Sequence, residues 1–287
     1  MVNFRVAPLS HAIGAEITGL DLRDDLDRSS VDDIRAAWLD HNVLLFRDQA
    51  LTPEQHIAFS RQFGTLDDHR TRPDEQLPGH PEIFLVTNHP RADGKPSRTR
   101  NTGRQWHTDF SYTRRPALGS LLYCQEIPEK GGDTMFANLT VAWDSLSDAM
   151  KTMLSPLEAV HDAANIGSYK TRDQAEVQII RDNNPPIAQP VKRIHAETGK
   201  PALYVTESAT SHFVGMSEDE SRPILDYLFG HSTRDEFTYR HRWRVGDLIM
   251  WDNRCTLHRA LMDYSHETDR RHMLRTTLLG EPSGHLV

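Results

Sequence analysis

"EFTYRHRWRVGDLIMW", residues 236–251, alternates in its first half, breaks at the turn "VGD" and ends in an apolar run. Period-two alternation and short apolar runs bounded by turn residues read as strands. "MLRTTLLG" (273–280) continues the pattern downstream. Upstream lie "LGSLLYCQ" (118–125) and "DTMFAN" (133–138) around the turn "EKGG", and "PVKRIHAETGKPALYV" (190–205) reads as two strands joined at "ETGK". "NVLLFR" (42–47) and "EIFLVT" (83–88) add further strands. Many short strands with helices gathered at the front and in insertions predict a mainly β fold with helical decorations, an antiparallel sandwich or barrel.

The helices carry their own signals. "SSVDDIRAAWLDH" (29–41) places Val31, Ile34, Ala37 and Trp38 on one face, with serine available as N-cap. In "TPEQHIAFSRQFG" (52–64), Thr52 caps, Pro53 takes the first turn, Gln55 closes a capping box and Gly64 ends the helix. Further helices are expected over 140–154, over "DQAEVQIIRD" (173–182) and over "SEDESRPILDYLFGH" (217–231), where Ser217 and Glu220 form another capping box. Residues 65–105 are polar and rich in Pro, Gly, His and Arg, which suits a functional loop. Residues 1–287 are therefore expected to form one domain, with an active-site loop region at about 65–105 and a helical insertion at about 140–185.

Composition narrows the function. Of 287 residues, 37% are hydrophobic and 26% charged, an ordinary globular balance. A net charge of −8 argues against a nucleic-acid partner, although a small anion can still meet local arginines. No apolar run approaches the ~18 residues that span a bilayer, and the N-terminus lacks a signal peptide's apolar centre, so no membrane is expected and the cytoplasm is. Two cysteines, Cys124 and Cys255, fit a reducing compartment as inert buried thiols. No dinucleotide or P-loop glycine motif and no internal repeat occurs.

The chemistry starts at "WHTDFSY" (106–112). With 16 His and 41 acidic residues, about two His-x-acid triplets arise by chance, and the chain has three: His80-Pro-Glu82, His107-Thr-Asp109 and His195-Ala-Glu197. The surroundings must discriminate. On a strand, residues two apart face the same side, so His107 and Asp109 can share one metal. Two histidines and one carboxylate on one face of an octahedron, with open positions, suit a non-haem Fe(II) oxygenase. Downstream, "WDNRCTLHRALMDYSHETDRRHMLRTTLLG" (251–280) supplies His258, then Arg271 and Arg275 four apart on the next strand. A guanidinium is the natural bidentate partner of a carboxylate, so these arginines prepare a metal cavity for anionic ligands.

From "IGAEITGLDL" (13–22) through "HNVLLFRDQALTPEQHIAFSRQFG" (41–64), "WHTDFSY" and "GGDTMFAN" to "YRHRWRVGDLIMWDNRCTLHRA" and "RRHMLRTTLLG", the chain resembles the Fe(II)/2-oxoglutarate dioxygenases that include taurine dioxygenase and dichlorophenoxyacetate dioxygenase. The resemblance implies a double-stranded β-helix, or jelly roll. It implies His107, Asp109 and His258 as metal ligands, Thr134 and Arg271 as holders of the distal carboxylate of 2-oxoglutarate, and Arg275 as partner of the primary substrate's acidic group. His69 falls where the sulfonate branch has a substrate-binding histidine, and Phe110 where a backbone amide meets the same group. Fe(II), 2-oxoglutarate and O2 are the implied cofactor and co-substrates. Asp109 favours hydroxylation over halogenation, since halogenating relatives carry a small residue there.

The implied substrate is a small organic anion hydroxylated next to a heteroatom. An aryloxyalkanoate carboxylate, releasing a phenol beside succinate, is the first expectation; an alkylsulfonate or alkyl sulfate ester is the alternative. Ala209, where the taurine enzyme has phenylalanine, leaves room for an aromatic group. A jelly-roll metal- or anion-binding protein without turnover is the reading from another class. The resemblance also implies a dimer or tetramer. His80, His195, Trp106 and Trp251 read as structural, and "YRHRWR" (239–244) as a solvated basic strand face.

Overall fold

The computed structural model describes residues 4–91, 93–167 and 173–287. Its strands are β1 (Arg5–Pro8), β2 (Ala15–Thr18), β3 (Val43–Phe46), β4 (Gln76–Leu77), β5 (His80–Thr87), β6 (Ala117–Glu126), β7 (Thr134–Asn138), β8 (Glu158–His161), β9 (Ile187–Pro190), β10 (Lys192–Ile194), β11 (Pro201–Leu203), β12 (Thr210–Phe213), β13 (Thr238–His241), β14 (Leu248–Asp252), β15 (Thr256–Ala260), β16 (His272–Leu279) and β17 (His285–Leu286). The helices are α1 (Arg28–His41), α2 (Pro53–Arg61), α3 (Leu139–Asp144), α4 (Asp148–Leu154), α5 (Gln174–Asn183) and α6 (Glu218–Ser232). The protein is mainly β with helices at its margins.

The principal sheet has eight strands in the order β1-β2-β3-β14-β6-β16-β5-β4, mostly antiparallel, with β2 and β3 parallel. Alternate residues of its central strands enter two different cores. Leu44, Phe46, Leu121, Tyr123, Leu248, Met250, Leu274 and Leu278 pack beneath α1 and α2, against Ile34, Trp38, Phe59 and Phe63. Val43, Leu45, Leu122, Cys124, Ile249, Trp251 and Met273 face the other way, toward Phe136 of the three-stranded sheet β13-β7-β15. Burial on both faces explains why "NVLLFR" is continuously apolar rather than alternating. Gly119 is required by this packing: a Cβ there would lie 2.6 Å from the Trp38 ring. A third core, with Trp143, Leu203, Phe213, Leu225 and Leu228, joins α3 and α6 to the remaining strands.

Local signals placed the helix ends well. The Thr52–Gln55 capping box opens α2 as expected, whereas α1 is capped by Asp27, whose side chain accepts the Ser30 N–H, and not by a serine: Ser29 and Ser30 lie inside its first turn. Three further expectations change. The helix expected over 140–154 is two, because the Ser147 side chain accepts the Met150 N–H and starts α4 afresh. The insertion at 140–185 also contains β8, which pairs with β9 and β12. The "YRHRWR" segment does expose Arg240, Arg242 and Arg244 on one face, but His241 is not part of it: it is fully buried, hydrogen-bonded to Asp247 (3.0 Å) and to the Tyr239 hydroxyl (3.0 Å). Alternation in β13 thus turned a histidine inward, and a buried carboxylate satisfies it.

Candidate active site

His258 lies on β15, between the two sheets. His107 forms a single antiparallel bridge with it, each donating its N–H to the other's carbonyl at 3.1 and 2.8 Å. Thr108 turns the other way and gives its hydroxyl proton to the Asn253 carbonyl (2.6 Å), so Asp109 returns to the His107 side. The segment is not the regular strand its composition suggests. Only His107 pairs, and Phe110 already sits in the left-handed region at φ 59°, starting a turn. One bridge pair is enough to preserve the alternation.

The result is a cluster in which one ligand atom each from His107, Asp109 and His258 lies within 4.8 Å of the others. The closest nitrogen–oxygen separations are 4.0 Å for His107 Nε2 to Asp109 Oδ1 and 3.9 Å for His258 Nε2 to Asp109 Oδ2. Burial pushes both imidazoles below the ordinary histidine range, and the adjacent His107 pushes His258 further. Burial acts to raise the Asp109 carboxyl, but Arg275, His258, His107 and the Ser120 hydrogen bond together hold it well below the usual carboxylate range. Two neutral imidazoles and one carboxylate are therefore presented together, the donor set of a divalent transition metal with oxygen-ligated open positions. His107 Nδ1 faces the Gln105 carbonyl at 2.9 Å, which assigns the proton to Nδ1 and leaves Nε2 as the free donor. The His258 ring is held by aromatic contacts, with Trp251 at 4.7 Å and Phe136 at 6.2 Å between centroids.

The other candidates gather around this cluster. Arg275 Nη1 donates to Asp109 Oδ1 (2.9 Å), a direct contact that the spacing did not foretell. Its guanidinium lies 4.9 Å from the Phe84 ring centroid, and His69 packs on the same ring at 5.1 Å. His69 Nδ1 is 3.0 Å from Asp67 Oδ2, while His69 Nε2 and Arg275 Nε are buried without a hydrogen-bond partner. Arg271 is buried, with Nε on the Gly132 carbonyl (3.1 Å) and Nη2 3.5 Å from the Thr134 hydroxyl. Thr134 also accepts the Trp243 indole N–H (3.0 Å). Thr134 and Phe136 share a face of β7, which sets the arginine–threonine pair next along from the His258 ring. No carboxylate pairs with Arg271 among the described residues; nearby Asp133 is committed to Arg240 at 2.6 Å. Ala209 is buried in a loop whose Ser208 donates its N–H to the Trp106 carbonyl, beside His107.

Sequence reasoning passed over Ser120, Phe84 and Trp243, and read Asn253 only as a turn residue of "WDN". A signal existed for Ser120, which is a polar residue inside the apolar run of β6. A second cluster, His195, Asp252 and Cys255, has ligand atoms equally close. There, Arg254 binds both Asp252 oxygens (2.8 and 2.6 Å) and His195 takes one (3.0 Å), so the carboxylate is already neutralised by a cation. Burial also drives the Cys255 thiol well above its ordinary value. This is a structural ion pair, in agreement with the structural reading of His195.

Residues 5–277 match the model of the taurine catabolism dioxygenase TauD, TfdA family. The chain belongs to this family. It is 35% identical over 284 residues to the α-ketoglutarate-dependent 2,4-dichlorophenoxyacetate dioxygenase of Cupriavidus pinatubonensis, covering 96% of this chain and 97% of that one. It is 34% identical over 284 residues to an alkylsulfatase of Acinetobacter baylyi, covering 95% and 84%. Among solved structures, AAD-2 in complex with Mn(II) and N-oxalylglycine is similar with a TM-score of 0.84 at 30% identity, covering 98% of each chain. The chain is thus a dioxygenase of the α-ketoglutarate-dependent class. No helix among the described residues is long and apolar enough to cross a membrane.

Proposed function

We propose that the protein is an Fe(II)- and 2-oxoglutarate-dependent dioxygenase that hydroxylates a small organic anion next to a heteroatom, with an aryloxyalkanoate as substrate and a phenol and succinate as products. The observation that carries this reading is the neutral–neutral–anionic His107/His258/Asp109 cluster flanked by the buried Arg271 and the partly buried Arg275. In this reading His107 Nε2, His258 Nε2 and an Asp109 oxygen hold the metal. The bound Fe(II), with 2-oxoglutarate and O2, supplies the oxidising power.

The chain's own residues bind and orient. Arg271, a buried cation without a carboxylate partner among the described residues, and the Thr134 hydroxyl receive the distal carboxylate of 2-oxoglutarate, with Trp243 fixing the threonine. Arg275 Nε, and His69 Nε2 in the imidazolium form of that ring, both without a hydrogen-bond partner among the described residues, donate to the substrate's anionic group above Phe84, near the Phe110 turn. Trp251 and Phe136 line the His258 side and keep water from it. Orientation of one C–H bond against the metal is the protein's main contribution to rate. The similarity to the 2,4-dichlorophenoxyacetate enzyme and the small Ala209 support the aryloxy substrate; the similarity to the alkylsulfatase keeps an alkyl sulfate or sulfonate as second reading. The jelly-roll arrangement of the two sheets, a single domain, a dimer or tetramer and a cytoplasmic location belong to the same proposal, the last supported by two buried free cysteines.

Succinate formation from 2-oxoglutarate is the test, measured in air with Fe(II) and a panel of aryloxyacetates, alkylsulfonates and alkyl sulfates. Substrate-stimulated succinate is expected from the wild-type chain and none from His107→Ala, whose melting temperature should stay within a few degrees. Undiminished turnover in that variant would remove the triad from the reaction.

A further inference from the structure

Asp109 is the most elaborately held side chain in the cluster. Ser120 Oγ donates to Asp109 Oδ2 at 2.7 Å, and Asn253 Nδ2 donates to Ser120 Oγ at 2.9 Å. Asn253 Oδ1 accepts the Asp109 backbone N–H (3.1 Å) and the Trp251 indole N–H (3.0 Å), while the Asn253 carbonyl takes the Thr108 hydroxyl. Ser120 and Asn253 are both fully buried. The polarity of the chain is therefore fixed. Two N–H groups converge on one end of the Asn253 amide, so that end must be oxygen and the other must be the NH2. An NH2 can only donate, so the serine hydroxyl must spend its single proton on the carboxylate.

We infer that Asn253 and Ser120 act as a positioning pair that aims the Asp109 carboxylate at the metal: the amide orients the hydroxyl, and the hydroxyl fixes the carboxylate's rotation about Cβ–Cγ. The inference rests on the metal-site reading above. Asn253 sets both ends of Asp109, its backbone N–H directly and its Oδ2 through Ser120. Because each hydrogen bond polarises the next, the hydroxyl is a stronger donor than an isolated serine. Ligating carboxylates held in this way lose about 10- to 100-fold in metal affinity when the holding group is removed. Arg275 holds the opposite oxygen, Oδ1, but belongs to the substrate subsite and is free to exchange partners; the serine–asparagine pair is not.

Co(II) is the probe, titrated anaerobically into the metal-free full chain and followed by its d–d absorption. Ser120→Ala is expected to weaken Co(II) binding 10- to 100-fold and to change the d–d band, while the metal-free protein melts within a few degrees of wild type. Should alanine unfold the chain, Ser120→Cys, which fills the same space with a poor donor, is read in the same way. Wild-type affinity and an unchanged band in a folded variant would overturn the positioning role. The His107→Ala control separates the two claims: equal Co(II) binding by wild type and this control would reject the triad itself, whereas loss in the control with none at Ser120 would reject only the pair.

Discussion

Arg271 offers a counterintuitive prediction. Replacing it by methionine removes a buried guanidinium that has no carboxylate partner among the described residues, with its hydrogen bond to the Gly132 carbonyl and a long one, 3.5 Å, to the Thr134 hydroxyl. Losing these bonds costs about 1–3 kcal/mol, but exchanging buried charge for an apolar side chain of similar length returns about 1–4 kcal/mol. The ligand-free variant should therefore be about as stable as wild type. A chain of 287 residues has an unfolding entropy near 0.6 kcal/mol/K at the midpoint, from about 2.1 cal/mol/K per residue, so the melting temperature should fall by no more than about 3 °C and can rise by up to about 5 °C. The consequence for ligand binding is large. Two charge-assisted hydrogen bonds to the distal carboxylate, at about 1.5–3 kcal/mol each, correspond to a loss of roughly 10²- to 10⁴-fold in 2-oxoglutarate affinity. The assay is thermal unfolding of the Mn(II)-loaded protein with and without 2-oxoglutarate. At a hundredfold excess over Kd the wild type should gain about 2.7 kcal/mol, or 4–5 °C, and the variant nothing. A variant that keeps the full ligand shift, or that melts well below wild type without ligand, would refute the assignment of Arg271 as an anion anchor awaiting its partner.

Arg275→Ala should raise the KM of the primary substrate by roughly tenfold to a hundredfold, one charge-assisted contact, while that of 2-oxoglutarate changes severalfold at most; steady-state kinetics against each substrate check it. Asp252→Asn removes the carboxylate shared by Arg254 and His195 and leaves Arg254 only Glu197, so it should cost about 1.5–3 kcal/mol, lowering the melting temperature by about 2.5–5 °C. Burial acts to raise the Asp252 carboxyl, but hydrogen bonds from Arg254 and His195 hold it at about 2. A depressed carboxylate stabilises the fold above its unfolded value, near 3.9, and that contribution fades as pH falls through about 2. The gap between wild type and Asp252→Asn, read from urea midpoints, should stay constant from pH 8 to 5 and narrow below about pH 4.

The parts of the fold written in local chemistry were legible. Capping boxes at Thr52 and Ser217 and the apolar face of α1 gave three helices nearly to the residue, and the central strands β3, β6, β14 and β16 follow from their apolar runs. Tertiary pairing was not legible. β15, which carries His258, reads as loop because "TLHRA" has neither alternation nor a run; its strand state comes from pairing with β7. His241 looked like one more charge in a basic stretch, and only the fold reveals Asp247 beside it. In the site, the His107–Asp109 spacing and the two arginines were visible as side-chain chemistry. The Arg275–Asp109 contact and the Asn253–Ser120 relay were not, since they join residues more than a hundred positions apart; in the sequence Ser120 is a lone polar residue in an apolar run and Asn253 one residue of a polar turn.

The cluster and the anion subsite stand on different parts of the principal sheet. Asp109 is anchored to Ser120 of β6, which is flanked by β14 and β16 at the sheet's centre. Phe84, the floor shared by His69 and Arg275, belongs to β5, whose outer neighbour is the two-residue β4 at the sheet's rim. Strands near a rim give way to substitution and small displacement more readily than strands paired along both sides. In the proposed reading, the acid that is accepted can be retuned by rebuilding the periphery around Phe84 while the His107/Asp109/His258 cluster keeps its shape. On that reading, aryloxyalkanoates and alkyl sulfates are neighbouring solutions on one scaffold, told apart at its margin.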